Sequence, residues 1–357
     1  MSKMLSKKEI LDVLKSKDIP KDLLEEAFKV RKFYSGYYVY LRALTEITNI
    51  CRKSCFYCGI RKENASLKRY YLKFDLINKL FTNIKKLGYS SIALQGGEIF
   101  SEKHYFFLYK LIKLAKDKFN YEITISFGEL PKDVLEKLYF LGAKRYLLRF
   151  EIISPKRYYL FHYKDKFHNY ENRIKTLVLL KKIGYQVGTG NLIGLPFTFI
   201  KDLYKDILFI KNFKPDMVGI GPYIPQKNTP LFNYLTKGIN IFSEKERFLL
   251  TLKLIAIFRI LLKTSNIVAS TALITLGTKF YPLEKVLNLA FKCGANVIMP
   301  IFTPSENKRL YSLYEDKYFS EHEKFYFAVK NSDFIPVLDR YGNPLSYYIR
   351  NQKSCKL

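Results

Sequence analysis

Between residues 38 and 300, short apolar, β-branched runs alternate with longer stretches whose apolar residues recur at helical spacing. Eight runs read as strands: YVYLRALTEI (38–47), SIALQ (91–95), EITISF (122–127), RYLLRFE (145–151), YQVGTG (185–190), DMVGIG (216–221), NIVAST (266–271) and NVIMP (296–300). In the first long interval, DLINKLFTNIKKLG (75–88) has a helical apolar stripe and closes on Gly88. The same close recurs at Gly142, Gly184 and Gly294, each followed at once by a strand. Glycine there predicts a left-handed cap, since it takes positive φ without a Cβ penalty. Strand-then-helix alternation predicts an α/β fold with parallel strands, and eight units predict a complete (β/α)8 TIM-type barrel.

The flanks read differently. Residues 1–37, with the amphipathic SKKEILDVLKSK, predict a helical N-terminal extension to a barrel at 38–304. Residues 305–357 predict a C-terminal extension packing on the barrel, with a helix in EHEKFYFAVKN (321–331). The start lacks the apolar core of a signal peptide. The longest apolar run, FLLTLKLIAIFRILL (248–262), carries Lys253 and Arg259 and falls short of a membrane span. The expectation is a soluble, cytoplasmic chain.

Composition adds little to that picture. Hydrophobic residues at 48% supply a large core and exclude disorder. Lys and Arg number 61 against 32 Asp and Glu, a net +29 that attracts polyanions. The lysines are spread along the chain without a long basic block. Abundant Lys, Ile, Asn, Phe and Tyr with no Trp is also what an AT-rich genome encodes. Charge alone therefore does not predict a nucleic-acid ligand. Five cysteines, an odd and small number, do not form a disulfide framework and suit a reducing cytosol. Cys293 and Cys355 are isolated; Cys51, Cys55 and Cys58 are grouped.

In parallel barrels chemistry sits at the C-terminal ends of the strands. The unusual residues of this chain fall there in turn: the cysteine loop, QGGE (95–98), SFGE (126–129), RFE (149–151), GTGNLIGLP (188–196), GPYIP (221–225), Ser270 with Thr271, and MPIFTPS (299–305). The cysteines follow C-x3-C-x2-C. A structural zinc takes four protein ligands, and His104, His162 and His168 are the sequence-distant sources of a fourth. An iron–sulfur cluster held by three thiolates instead leaves one iron open for a small molecule with an amino and a carboxylate group.

This spacing, CRKSCFYCGIRKEN (51–64), resembles the signature of the radical S-adenosylmethionine (radical SAM) superfamily. The resemblance implies a 4Fe–4S cluster that reductively cleaves S-adenosylmethionine to methionine and a 5′-deoxyadenosyl radical. Phe56 and Tyr57 can shield the cluster and pack an adenine face. Gly96 and Gly97 let the backbone approach the methionyl amino group, to which Glu98 can offer its carboxylate. Glu151 and Arg173 could pair with the amino and carboxylate ends, since an Arg fork suits a carboxylate. The turn around Leu192 in GNLIGLP suits the adenosine edge.

Within the superfamily the chain is most similar to the HydE family of FeFe-hydrogenase maturases, a relative of methylornithine synthase and biotin synthase. The matching strings are CRKSCFYCGIRKEN…LKRY, SFGELP, GAKRYLLRFE, ENR, GLP, DMVGIGPYIP, TLKLIAIFRILL and CGANVIMPIFTPS…RLYSLY. The resemblance implies that Cys51, Cys55 and Cys58 ligate the cluster. It places Tyr57, Gln95, Gly96, Gly97, Glu98, Ser126, Glu151, Arg173 and Leu192 at the cofactor. Thr124, Arg149, Ser270, Thr271, Met299 and Tyr311 then line the substrate cavity, with Arg149 as a carboxylate clamp. Gly96, Phe150 and Ser270 depart from the Ser, His and Thr common in that family. With only Cys293 and Cys355 toward the C-terminus, no second cluster is expected. The implied substrate is a small cysteine-bound Fe(CO)2(CN) unit from the maturase HydG, with HydF as a further partner and ferredoxin or flavodoxin as reductant. No side chain need act as acid or base. A related radical enzyme on an amino-acid substrate, and a basic nucleic-acid-associated protein with zinc, are the rival readings.

Overall fold

The computed structural model describes residues 5–236, 242–319 and 321–339. Each of the eight predicted runs contains a strand. Seven of them form one parallel sheet, in the spatial order Asn266–Ile267, Met217–Val218, Gln186–Thr189, Arg145–Leu147, Glu122–Ser126, Ser91–Gly96 and Ala43–Thr48. Its register runs Leu44↔Ala93, Ala93↔Thr124, Thr124↔Arg145 and Arg145↔Gln186. The predicted eighth strand, Val297–Ile298, lies in a second sheet.

The fold is thus an α/β arrangement around a seven-stranded parallel sheet, and the expected uninterrupted eight-stranded ladder is absent among the described residues. The first run divides at Arg42: Ala43–Thr48 belongs to the large sheet, while Tyr38–Leu41 pairs with Val297–Ile298. Isolated bridges Leu44↔Ile301 and Val268↔Val297 link the two sheets. Met217–Val218, Asn266–Ile267 and Val297–Ile298 are only two residues long. Glycines 219 and 221 and prolines 222 and 300 follow them, and a proline cannot donate to a ladder.

The four glycine caps are present. Gly88, Gly142, Gly184 and Gly294 have φ of 86°, 113°, 106° and 118°, each after a helix and before a strand. The apolar run at 248–262 lies in the helix Glu244–Leu262, most of whose residues are buried. Its cations are satisfied by backbone: Arg259 Nε donates to the Gly294 carbonyl at 2.9 Å, and Lys253 donates to the Ser16 carbonyl. Among the described residues no helix is long and apolar enough to cross a membrane.

The described elements at both ends of the chain are fastened to the rest. The N-terminal helices are Lys7–Lys15 and Lys21–Ser35. Buried Arg31 fastens the second, donating to the carbonyls of Ala295 (3.1 Å) and Tyr38 (3.0 Å). The predicted C-terminal helix spans His322–Lys330. The strand after it, Ile335–Val337, pairs with Tyr38–Leu41 and was not signalled by sequence. Cys355 lies outside the described residues.

Candidate active site

The cysteine loop has almost no regular structure, so its backbone groups must find partners elsewhere. They do. Arg69 gathers the carbonyls of Asn49 (2.7 Å), Ile60 (2.9 Å) and Arg61 (2.6 Å) with one guanidinium. Asn49 Nδ2 donates to the carbonyls of Lys68 and Leu310, and Asn64 Nδ2 donates to that of Gly59. The Ser54 amide donates to His168 Nε2 at 2.8 Å, and Asp165 holds the other ring nitrogen at 2.8 Å. The Phe56 amide donates to the Phe161 carbonyl at 2.9 Å. An irregular loop is thereby made rigid.

Cys51, Cys55 and Cys58 all line one cavity of about 240 Å³ at the strand ends. The Lys53 and Glu98 amides donate to Cys51 Sγ at 3.4 and 3.3 Å. Such N–H···S contacts surround the thiolates of iron–sulfur sites and steady their charge. Burial pushes the Cys55 thiol up to about 12 and raises Cys51 and Cys58 as well. Thiols so buried ionise when a cationic centre binds them. Among the described residues no three His, Cys, Asp or Glu side chains converge to hold a single metal ion. None of the three histidines weighed as a fourth ligand lines the cavity. His104 Nδ1 meets Tyr71 OH at 2.8 Å, His162 Nε2 meets Tyr57 OH at 3.0 Å, and His168 is committed to Ser54 and Asp165. A cup of three thiols around a cavity suits a multi-iron cluster better than tetrahedral zinc.

Of the other predicted residues, Tyr57, Gly96, Gly97, Glu98, Ser126, Arg149, Glu151, Arg173, Leu192 and Tyr311 also line this cavity. Glu151 has φ of 66°, a backbone region that non-glycine residues rarely adopt. Its amide donates to the Gly190 carbonyl (3.2 Å) and its carbonyl accepts from the Leu192 amide (3.0 Å). Strain held this way marks functional positions. Burial raises the Glu151 carboxyl, with Arg149 and Arg173 opposing. Arg149 Nη2 lies 2.9 Å from Glu151 Oε2 and donates to the Asn191 carbonyl at 2.8 Å.

Two of these residues also carry structural contacts. The Glu98 carboxylate is already engaged: Arg52 contacts Oε1 at 2.7–2.8 Å, and Oε2 accepts from the Glu129 amide at 2.8 Å. Gly97 serves the cysteine loop, because a Cβ there would stand 2.1 Å from the Ile50 carbonyl oxygen and 2.7 Å from Cys51 Cβ. Five predicted residues lie outside the cavity lining. Gln95 Nε2 donates to Glu46 Oε1 at 3.3 Å. Thr124 is buried with an unpartnered hydroxyl. Ser270 caps the helix Thr271–Gly277, accepting from the Leu273 amide at 3.3 Å, and Thr271 is the first residue of that helix. Met299 packs among Tyr40, Leu44, Ala93 and Ile301.

Sequence reasoning missed the cavity's roof. Leu313 and Tyr314 join Tyr311 there, from the irregular stretch after Lys308. The Gly59 amide donates to the Leu313 carbonyl at 3.0 Å, and a Cβ on Gly59 would sit 1.9 Å from the Ser312 carbonyl oxygen. Buried Lys317 pairs with buried Glu46 below. The one signal was the similarity of RLYSLY itself.

Residues 45–210 match the Radical SAM superfamily. The crystal structure of methylornithine synthase superposes with a TM-score of 0.77 at 21% identity, covering 95% of each chain. The maturase HydG from Carboxydothermus hydrogenoformans gives 0.76 at 20%, covering 94% of this chain and 77% of its own. These two likenesses speak for the fold. With the cysteine loop at its strand ends, that fold defines a radical SAM enzyme. Over 329 residues the chain is 38% identical to the [FeFe] hydrogenase maturase subunit HydE of Thermotoga maritima, covering 87% of this chain and 88% of that one. The 3-methylornithine synthase of Methanosarcina acetivorans is 28% identical over 83% and 78% of the two chains. The chain belongs to the HydE family of radical SAM proteins.

Proposed function

We propose that this chain is a FeFe-hydrogenase maturase acting on a cysteine-bound Fe(CO)2(CN) unit delivered by HydG, toward a sulfur-bridged di-iron product passed to HydF. The observation that carries the reading is the shared cavity: three cysteine thiols, the Arg149 guanidinium and Tyr311 all open onto one space. A 4Fe–4S cluster with S-adenosylmethionine would supply reductive cleavage of the sulfonium, giving methionine and a 5′-deoxyadenosyl radical.

Cys51, Cys55 and Cys58 would hold three irons. Glu151 and Arg173 bind the amino and carboxylate ends of the cofactor, while Tyr57 and Leu192 pack its adenosine. Gln95, Gly96, Ser126 and Thr124 shape the floor between cofactor and substrate, with Ser270, Thr271 and Met299 deeper in. Arg149, 2.9 Å from Glu151 Oε2, leaves that partner and takes the substrate carboxylate with its planar fork. Leu147, Leu148, Ile224 and Leu313 exclude water, which a reactive radical requires. No side chain is needed as acid or base. We read the two sheets as one closed eight-stranded barrel around this chamber, supported by the Leu44↔Ile301 and Val268↔Val297 bridges. Ferredoxin or flavodoxin is the reductant in this reading, and the cytoplasm its compartment.

The test is anaerobic reconstitution followed by a maturation assay. The expected protein is brown with about four irons per chain, and releases methionine from S-adenosylmethionine under dithionite. Combined with HydF and HydG, with this chain as the sole source of HydE activity, it yields active hydrogenase. Cofactor cleavage without maturation would favour the rival amino-acid substrate, to which the 28% identity with 3-methylornithine synthase points.

A further inference from the structure

Glu129 has no part in the reading above, yet its carboxylate joins two distant segments and its amide meets a third. The side chain is 3% exposed. Its Oε1 accepts from Lys53 Nζ at 2.7 Å and lies 2.7 Å from Arg173 Nε. Its Oε2 accepts from Asn172 Nδ2 at 2.7 Å, and its amide donates to Glu98 Oε2 at 2.8 Å. Lys53 sits between the first two cysteines; Asn172 and Arg173 open the helix Tyr170–Ile183; Glu98 follows the strand Ser91–Gly96.

A guanidinium has five donors in a rigid fork, so fixing one edge fixes the whole plane. Glu129 holds the Nε edge of Arg173, while Nη1 reaches the Arg149 carbonyl at 3.3 Å on the cavity wall. Without that carboxylate, a buried arginine beside Lys53 would lose its counter-ion and repack.

We propose that Glu129 is a positioning residue: its one carboxylate aims Arg173 at the carboxylate end of the bound cofactor and ties the cysteine loop to the same anchor. This rests on the reading that Arg173 receives that carboxylate.

The experiment compares anaerobically reconstituted full-length wild type, Glu129→Gln and Asn172→Ala. Calorimetry gives Kd for S-adenosylmethionine and for its decarboxylated analogue; iron content and Tm are measured alongside. A wild type that binds no S-adenosylmethionine sinks the functional reading itself, whatever Glu129 does. Given wild-type binding, Glu129→Gln should retain its iron and weaken S-adenosylmethionine by roughly 10- to 100-fold, with little change for the analogue that lacks the carboxylate. Asn172 is exposed, so its variant should fold as wild type and weaken binding in the same carboxylate-selective sense. Equal weakening of both ligands, or a lowered Tm with Kd unchanged, overturns the proposal. Should Glu129→Gln fail to fold, an unchanged Kd in Asn172→Ala overturns it instead.

Discussion

Lys317 and Glu46 form a buried ion pair across 271 residues of sequence. Glu46 lies in the first strand of the large sheet, and Lys317 follows the segment that roofs the cavity. Lys317 also donates to the Tyr311 carbonyl at 3.1 Å, so the pair anchors a cavity-lining residue. Removing one partner of a buried pair leaves an uncompensated charge. Lys317→Met should therefore cost about 3–5 kcal/mol at neutral pH, read by urea denaturation. Burial raises the Glu46 carboxyl above its ordinary value, with Lys317 opposing. A raised carboxyl favours the fold at low pH and loses that contribution as pH climbs through the raised value. The Lys317→Met deficit should shrink as pH falls through that raised value, and a deficit independent of pH would contradict the account.

Gly97 predicts a different failure. An added methyl meets the Ile50 carbonyl at 2.1 Å and Cys51 Cβ at 2.7 Å, backbone and cysteine side chain both. Gly97→Ala should push the first thiol out of place, lower iron per chain after reconstitution, and cost about 1–3 kcal/mol. Iron analysis with a melting curve checks it; wild-type iron would show that the loop yields more than its hydrogen bonds suggest.

The cysteines divide by location. Cys55 faces the cavity, whereas Cys293 is fully buried in the apolar core after the helix Leu283–Lys292. Cys55→Ser should abolish the brown chromophore with Tm little changed. Cys293→Ser should keep the chromophore and lose about 1–3 kcal/mol from an unsatisfied hydroxyl. Visible spectra and Tm of the two variants should therefore move in opposite patterns.

Acid should release the Glu129 anchor. Burial raises that carboxyl, but Arg173 and Lys53 outweigh it and hold it below its ordinary value near 4.5. A lowered carboxyl stabilises above that value, and the contribution disappears as pH falls through the lowered one. The urea midpoint of wild type should drop below about pH 4.5, and more steeply than that of Glu129→Gln.

Much of this was legible in the residues. Glycines at 88, 142, 184 and 294 announced helix ends because their local geometry needs only the neighbouring turn. The cysteine spacing announced the cup for the same reason. Contacts made over long separations were not legible: Glu46 looked like one more strand residue, and Lys317 one of many lysines. Ser270 and Thr271 read from sequence as strand-end hydroxyls, and the structure adds that Ser270 caps the helix Thr271–Gly277, a role set by residues further along the chain. The strand Ile335–Val337 was hidden by its proline and its brevity. Division of the first run at Arg42 depended on neighbours no single stretch reveals.

The Gly59 amide, next to the third thiol, holds up the ceiling of the chamber through Leu313. Under the proposed function, inorganic chemistry and substrate choice would be mortised at one joint, since even a methyl group at Gly59 would stand 1.9 Å from the Ser312 carbonyl oxygen. A change in the ceiling would then be felt beside the third cysteine, and a change in the cysteine loop would be felt in the ceiling.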